Sequence, residues 1–238
     1  MIEIKNIYKN FGKTEVLKNV SVTFKEGECI AFIGPNGCGK TTLIKSILGM
    51  VIPTSGEIFV ENTQIKNQFQ YRENIGYMPQ IGRYPDMMTI KQVLEMIKKI
   101  RNKPNELLDY ELYEAFNIKS IEHKQMRTLS GGTTQKVSAV IAFLFNPTIL
   151  ILDEPTAGLD PLASEILKEK ILKVKKQDKL VLITSHLLSE LDDLITEIVF
   201  MQEGELKFHK KIDVLQNETN EIKVSKAIAK ILKDSKND

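Results

Sequence analysis

Cysteine is scarce in this chain: among 238 residues only Cys29 and Cys38 carry a thiol. One sits in or beside a continuous apolar run and the other inside a glycine-rich loop. They do not read as a disulfide framework but as reduced thiols of a cytosolic protein. An excess of charge is missing too. The 33 basic and 31 acidic residues leave a formal charge of +2, which gives no reason to expect a nucleic-acid partner. Long hydrophobic runs are also absent. The most apolar stretch, "VSAVIAFLFNPTILIL", is interrupted by Asn146 and Pro147 and falls short of the ~20 residues that span a bilayer. The chain is not expected to cross a membrane by itself, although it could dock onto a protein that does. The opening "MIEIKNIYKNFG" carries charges every few residues, unlike a signal peptide. There is no internal repeat and no low-complexity linker. What remains is 42% hydrophobic and 27% charged, the balance of an ordinary soluble globular protein. The length suits one large domain, or a core with an inserted subdomain.

The pattern along the chain is α/β, then helical, then α/β again. "KNVSVTF" alternates Val20, Val22 and Phe24 with polar residues, as a half-buried antiparallel strand does. "CIAFI" is continuously apolar up to Gly34, the mark of a fully buried strand. "KTTLIKSILG" predicts a helix stopped at Gly49. Helical periodicity follows in "TIKQVLEMIKKIR" and "ELLDYELYEAFNI", and "GGTTQKVSAVIAFLF" predicts a helix opened by a glycine pair. Buried strands return in "TILILD" and "KLVLITS", with the helix "SEILKEKILKVKK" between them. "EIVFMQEGELKF" predicts a hairpin turning at Glu203 and Gly204.

"GPNGCGKTT", residues 34–42, fits G-x-x-x-x-G-K-[ST] and lies after a buried strand and before a helix. Gly34, Pro35, Asn36, Gly37, Cys38 and Gly39 would curl the backbone so that N–H groups point at phosphate oxygens. Lys40 would reach the β- and γ-phosphates and the Thr41 hydroxyl would bind Mg²⁺, with Thr42 completing the phrase. In "ILILDEP" the run of apolar residues makes a buried strand that ends on Asp153, where parallel α/β sheets place ligand contacts. Asp153 would hold the Mg²⁺ shell, and Glu154 would polarise an attacking water as general base. With Pro155 following, either carboxylate could instead be a helix-start residue. A second glycine cradle, "TLSGGTTQK", lies about 90 residues after the first. Alone, its small residues read as a helix cap.

Four phrases, "GPNGCGKTT", "LSGG" at 129–132, "LDEPTAGLD" at 152–160 and "ITSH" at 183–186, occur in that order. Together they resemble the ATP-binding cassette (ABC) ATPase, over nearly the whole chain from Ile2 to Phe208. The resemblance implies an α/β fold: a P-loop NTPase (RecA-like) core with an antiparallel β subdomain and an inserted α-helical subdomain. The expected layout is a single ABC ATPase domain with its core at about 1–80 and 148–212, the helical insertion at about 81–147 and a C-terminal helix at about 213–238. It implies ATP and Mg²⁺ as cofactors, and a homodimer formed on ATP binding. In such a dimer Ser130, Gly131 and Gly132 of one chain cover the nucleotide held by residues 34–42 of the other.

Other positions map one at a time. Gln80 in "YMPQ" resembles the glutamine that touches Mg²⁺ and the attacking water. His186 resembles the switch histidine on the γ-phosphate, against the alternative of a satisfied structural histidine. Asp160 resembles the aspartate that communicates across the dimer. Phe11 aligns with the aromatic that stacks on adenine, with Tyr8 its rival and two core aromatics the remaining reading. Thr133 stands where the family has Gln or Met, and Lys136 where Arg is common; both lie beyond the N–H groups that would meet phosphate. Cys38 occupies a variable position, as a small filler or a thiol sensitive to oxidation.

The resemblance implies an ATPase subunit at the cytoplasmic face of the cell membrane, peripheral, touching the membrane only through separate polytopic subunits. "IGRYPDMMTIKQVLEMIKK" would form the groove for the transporter's coupling helix. "YMPQ…P…MT" and the compact C-terminus resemble the CcmA-type, exporter-leaning branch, including the copper-processing ATPases of nitrous oxide reductase maturation. The alternative is a soluble SufC-like ATPase of iron–sulfur assembly. A P-loop kinase would leave "LSGG" without a role.

Overall fold

The computed structural model describes residues 1–185 and 193–234. From the N-terminus come β1 (Ile2–Phe11), β2 (Thr14–Phe24), β3 (Cys29–Ile33), α1 (Lys40–Ile47), β4 (Ser55–Val60), β5 (Thr63–Gln64) and β6 (Ile75–Met78). Then follow α2 (Ile90–Arg101), α3 (Glu111–Ala115), α4 (Gly131–Leu144), β7 (Ile149–Asp153), α5 (Pro161–Lys175) and β8 (Leu180–Thr184). β9 (Glu197–Gln202), β10 (Glu205–Lys211), α6 (Ile212–Thr219) and α7 (Val224–Asp234) close the chain. These elements gather into two compact units, Met1–Gln68 with Leu182–Asp238, and Phe69–Val181.

In the first unit an antiparallel sheet runs in the order β2-β1-β4-β5. Val20 and Phe24 of β2 are fully buried while Ser21 and Thr23 are exposed, the period-two pattern that the alternation in "KNVSVTF" predicts. A second ladder runs β10-β9-β3. β3 is parallel to β9, with Ile30 opposite Glu197 and Ile33 opposite Phe200, and Cys29, Ile30, Ala31 and Phe32 have no exposed surface. β9 and β10 form the expected hairpin, closed by Glu203 and Gly204 at φ 51° and 83°. Two consecutive left-handed residues match the twist of the strands they join. Helix α1 buries Leu43, Ile44 and Ile47 and stops at left-handed Gly49, φ 65°. There the Met50 N–H donates back to the Lys45 carbonyl at 2.8 Å. Where one C-terminal helix is expected, two form. Asn220 turns left-handed at φ 56° after α6, and α7 then buries Val224, Ala227 and Ile228.

In the second unit β6 lies parallel to β7, from Ile75 opposite Ile149 to Met78 opposite Leu152. α4 reaches β6 at Gly76, where a Cβ would sit 2.1 Å from the Ala142 carbonyl oxygen. Only glycine allows that approach. α2 starts with a reciprocal box: the Thr89 hydroxyl accepts from the Gln92 N–H and the Gln92 side chain accepts from the Thr89 N–H.

The helical reading of "ELLDYELYEAFNI" holds only in part. The segment forms a single 3₁₀ turn, Asn105–Leu107, and then the short α3. A tertiary demand breaks it. Lys170 of α5 is 5% exposed, and a buried ammonium needs carboxylates. Asp109 and Glu111 supply them, Glu111 at 2.7 Å. The Asp109 N–H meanwhile leaves the helical pattern to donate to the Leu144 carbonyl at 2.8 Å.

Candidate functional site

In the first unit the chain leaves β3 at Gly34, whose φ is 150°. A side chain there would meet the Met201 carbonyl oxygen at 2.0 Å and the Cys38 sulfur at 2.8 Å. Gly39, at φ 105°, would bring a Cβ to 2.8 Å from Leu17. These two glycines are therefore dictated by close packing as well as by conformation. Gly37 at φ 78° has open space around it, and Pro35, Asn36 and Gly37 are exposed. The turn of the β9–β10 hairpin supports the loop from behind: the Gly204 N–H donates to the Cys38 carbonyl at 3.2 Å. Cys38 itself is buried as a filler, 3% exposed.

The loop delivers α1 with its N-terminus unneutralised. Gly39 gives no side-chain cap, and the first turn holds no acidic residue. The N–H groups of a first helical turn have no intrahelical acceptor, and the helix dipole adds positive potential there. Lys40 is 9% exposed and its ammonium is 2.7 Å from the Gly34 carbonyl oxygen and 3.1 Å from that of Pro35. Thr41 is exposed and Thr42 half-buried, which leaves the Thr41 hydroxyl accessible at the helix start. This donor set suits a phosphate chain. Phe11, at the end of β1, is 52% exposed, whereas Tyr8 is half-buried, so of the two aromatics Phe11 offers the open ring.

The second unit holds the carboxylates. Asp153 ends β7 and is 7% exposed. Glu154 follows at φ 50°, a left-handed conformation that costs a non-glycine residue energy and clusters at functional sites. Its Oε2 accepts a hydrogen bond of 2.8 Å from the exposed Gln80 side chain. These two residues lie 74 positions apart in sequence, and the structure brings them together. Tyr77 is a neighbour that sequence reasoning missed. It faces Ile151 across the β6–β7 pair, on the same side as Asp153 two residues on. Burial, then the Asp153 charge, push its phenol up to about 12; it stays protonated near neutral pH. The signal was present in the "YMPQ" phrase but needed the strand register to be read.

The second glycine cradle opens α4. Ser130 is its N-cap, its hydroxyl accepting from the Thr133 N–H at 3.2 Å and lying 2.8 Å from the Thr133 hydroxyl. Around Gly131 there is open space. Gly132 lies against the turn before α5, where a Cβ would sit 2.6 Å from the Gly158 carbonyl oxygen. Asp160 does two local jobs. One oxygen caps α5 through the Ala163 N–H at 2.9 Å; the other takes the Lys136 ammonium at 2.6 Å. The Lys136 hydrogen bond is the main reason the Asp160 carboxyl titrates below the usual range. Sequence gave no hint of this pair. His186 lies outside the described residues.

Among the described residues no three or more His, Cys, Asp or Glu gather into a metal-binding group. Mg²⁺ does not need one, because it is usually held by one or two carboxylates together with substrate phosphates and water. Asp153, a buried carboxylate at a strand end, is of the kind that such a pattern uses. Among the described residues no helix is long and apolar enough to cross a membrane.

Comparison with known proteins bears on this geometry directly. The family model described as "ABC transporter" matches residues 17–157. The chain is 32% identical over 226 residues to the ABC transporter ATP-binding protein YtrB of Bacillus subtilis, covering 94% of this chain and 77% of YtrB. It is similar to a solved ATP-binding subunit of an ABC transporter, with TM-score 0.90 and 25% identity over 98% of this chain and 99% of that one. The ATP-binding cassette MJ0796, solved as a post-hydrolysis dimer bound to ADP and Pi, gives TM-score 0.79 and 25% identity over 89% of this chain and 99% of its own. The chain belongs to the ABC transporter family, as an ATPase cassette with the α/β P-loop NTPase fold.

Proposed function

We propose that the chain hydrolyses ATP as one half of a head-to-tail pair and thereby drives separate membrane-spanning subunits. The observation that carries this is the duplicate cradle. The loop before α1 and the start of α4 each hold a glycine with free space around it, Gly37 and Gly131. One nucleotide gives a single chain no use for both. Pairing uses both, because Ser130, Gly131 and Gly132 of one chain then close over the nucleotide on residues 34–42 of its partner. The dimeric state of the related MJ0796 cassette supports the arrangement.

Each residue then has a task. The backbone from Gly34 to Gly39 wraps the phosphates, the Lys40 ammonium turns from the loop carbonyls to phosphate oxygens, and Thr42 completes the helix start. Phe11 stacks on the base. Thr41, Asp153 and Gln80 would hold Mg²⁺, which would supply positive charge to offset that of the phosphates. Glu154, steadied by Gln80, takes the proton of the attacking water. His186 contacts the γ-phosphate, and Asp160 links the two halves of the pair. The layout proposed is that of one ABC ATPase domain whose helical insertion, about 81–147, carries the second cradle.

The name of the YtrB relative, a transporter ATP-binding protein, favours a transporter over an iron–sulfur scaffold as the driven partner. The "YMPQ…P…MT" phrase supports an exporter of the CcmA type, with copper processing the finer assignment. The segment from Ile81 onward grips the partner, and Ile81 and Met87 offer it 69% and 62% exposed apolar surface. Tagged chain, purified from its native membrane in mild detergent, is expected to bring down a polytopic protein. Recovery with a soluble scaffold in its place would overturn the transporter reading.

A further inference from the structure

Lys9 has no part in the reading above, yet it touches the ring on which that reading places the base. Lys9 and Phe11 lie two residues apart at the end of β1, where its pairing with β2 is irregular. The Lys9 ammonium lies 4.8 Å from the Phe11 ring centroid and donates to the Ile52 carbonyl at 2.7 Å. Ile52 belongs to the turn that follows α1. That turn is tied to β1 twice more: the Thr54 N–H donates to the Tyr8 carbonyl at 2.8 Å, and the Thr54 hydroxyl accepts from the Asn10 N–H at 3.0 Å.

The consequence is mechanical. α1 starts at the phosphate cradle, and the turn beyond its far end is fastened to the strand that carries Phe11. An exposed phenylalanine on a strand end would otherwise rotate among its side-chain conformers. A cation held over one face, and itself anchored to a backbone carbonyl, restrains the ring and leaves the opposite face for a planar ligand. We propose that Lys9 is a positioning residue for the nucleotide base: it fixes the Phe11 ring at a set distance from the phosphate loop, so that purine and phosphates are met together. This rests on the reading of Phe11 as the base platform.

The test compares ATP, ADP and inorganic tripolyphosphate binding to the full chain by calorimetry, using Lys9→Ala, Lys9→Arg, Phe11→Ala and the double variant Lys9→Ala/Phe11→Ala. Lys9→Ala is expected to weaken ATP and ADP about threefold and to leave tripolyphosphate unchanged, with Lys9→Arg close to wild type. Phe11→Ala is expected to weaken the nucleotides about tenfold, and the double variant to bind no worse than Phe11→Ala alone. If Phe11→Ala weakens ATP and Lys9→Ala does not, the positioning role is wrong while the platform stands. If Phe11→Ala has no effect, the platform itself is wrong. An equal loss for tripolyphosphate in Lys9→Ala would show that Lys9 acts on the phosphate cradle or the fold, and would overturn the inference.

Discussion

Glu154→Gln is expected to lower ATP turnover by ~10²–10⁴ while ATP binding persists and a nucleotide-bridged dimer accumulates. The substitution keeps the shape of the side chain and its reach to Gln80, now 2.8 Å away. What it removes is the ability to take a proton from water. Binding is expected to persist because the residues proposed to hold the phosphates, from Gly34 to Thr42, sit on the loop after β3 and the start of α1, whereas Glu154 follows the end of β7. With hydrolysis blocked, the step that would release the pair does not occur, so the paired state is trapped. Turnover is read by phosphate release and association by light scattering with and without ATP. A variant that stays monomeric at saturating ATP contradicts the sandwich; one that retains turnover removes Glu154 from the role of base.

Ser130→Arg is expected to abolish turnover and to leave the affinity of the isolated chain for ATP nearly unchanged. Ser130 is exposed at the start of α4, and a guanidinium there would occupy the space that the proposed pairing assigns to the partner's phosphates. Part of the effect is local, since the Ser130 hydroxyl caps the Thr133 N–H and losing such a cap costs about 1 kcal/mol of helix stability. Ser130→Ala isolates that part. It loses the cap without filling the space, and it is expected to retain far more activity than Ser130→Arg. Nucleotide affinity is read by titration below the concentration at which chains pair. A large loss of ATP affinity in Ser130→Arg would place the second cradle over its own chain's nucleotide.

What was legible in the sequence was what is decided locally. The spacing of Gly34, Gly39 and Lys40 is dictated by a strand running into a helix within a few residues, and the structure places both glycines at positive φ. The buried strands and the Glu203–Gly204 turn follow from apolar runs and turn chemistry in the same way. Tertiary demands were not legible. Lys170, buried at 5% exposure, draws Asp109 and Glu111 to itself and so interrupts a segment whose periodicity alone predicts a helix. Asn220 stops α6 in a left-handed turn and so divides the single helix expected at about 213–238.

The candidate site divides along the same line. Asp153 and Glu154 were legible from the strand that precedes them. The left-handed backbone at Glu154, the bond from Gln80 across 74 positions, and the Lys136–Asp160 pair across 24 depend on strands and helices brought together by folding. The register of β6 on β7 is likewise what reveals Tyr77 beside Asp153. A single sequence encodes these contacts without displaying them.

Each active site is proposed to be assembled from two copies of the chain. The most direct measurement is specific ATPase activity of the purified chain at saturating ATP over a wide dilution series. Turnover per chain is expected to fall as the concentration drops through the pairing constant, and to approach zero well below it. Turnover per chain that stays constant far below any plausible pairing constant would contradict it.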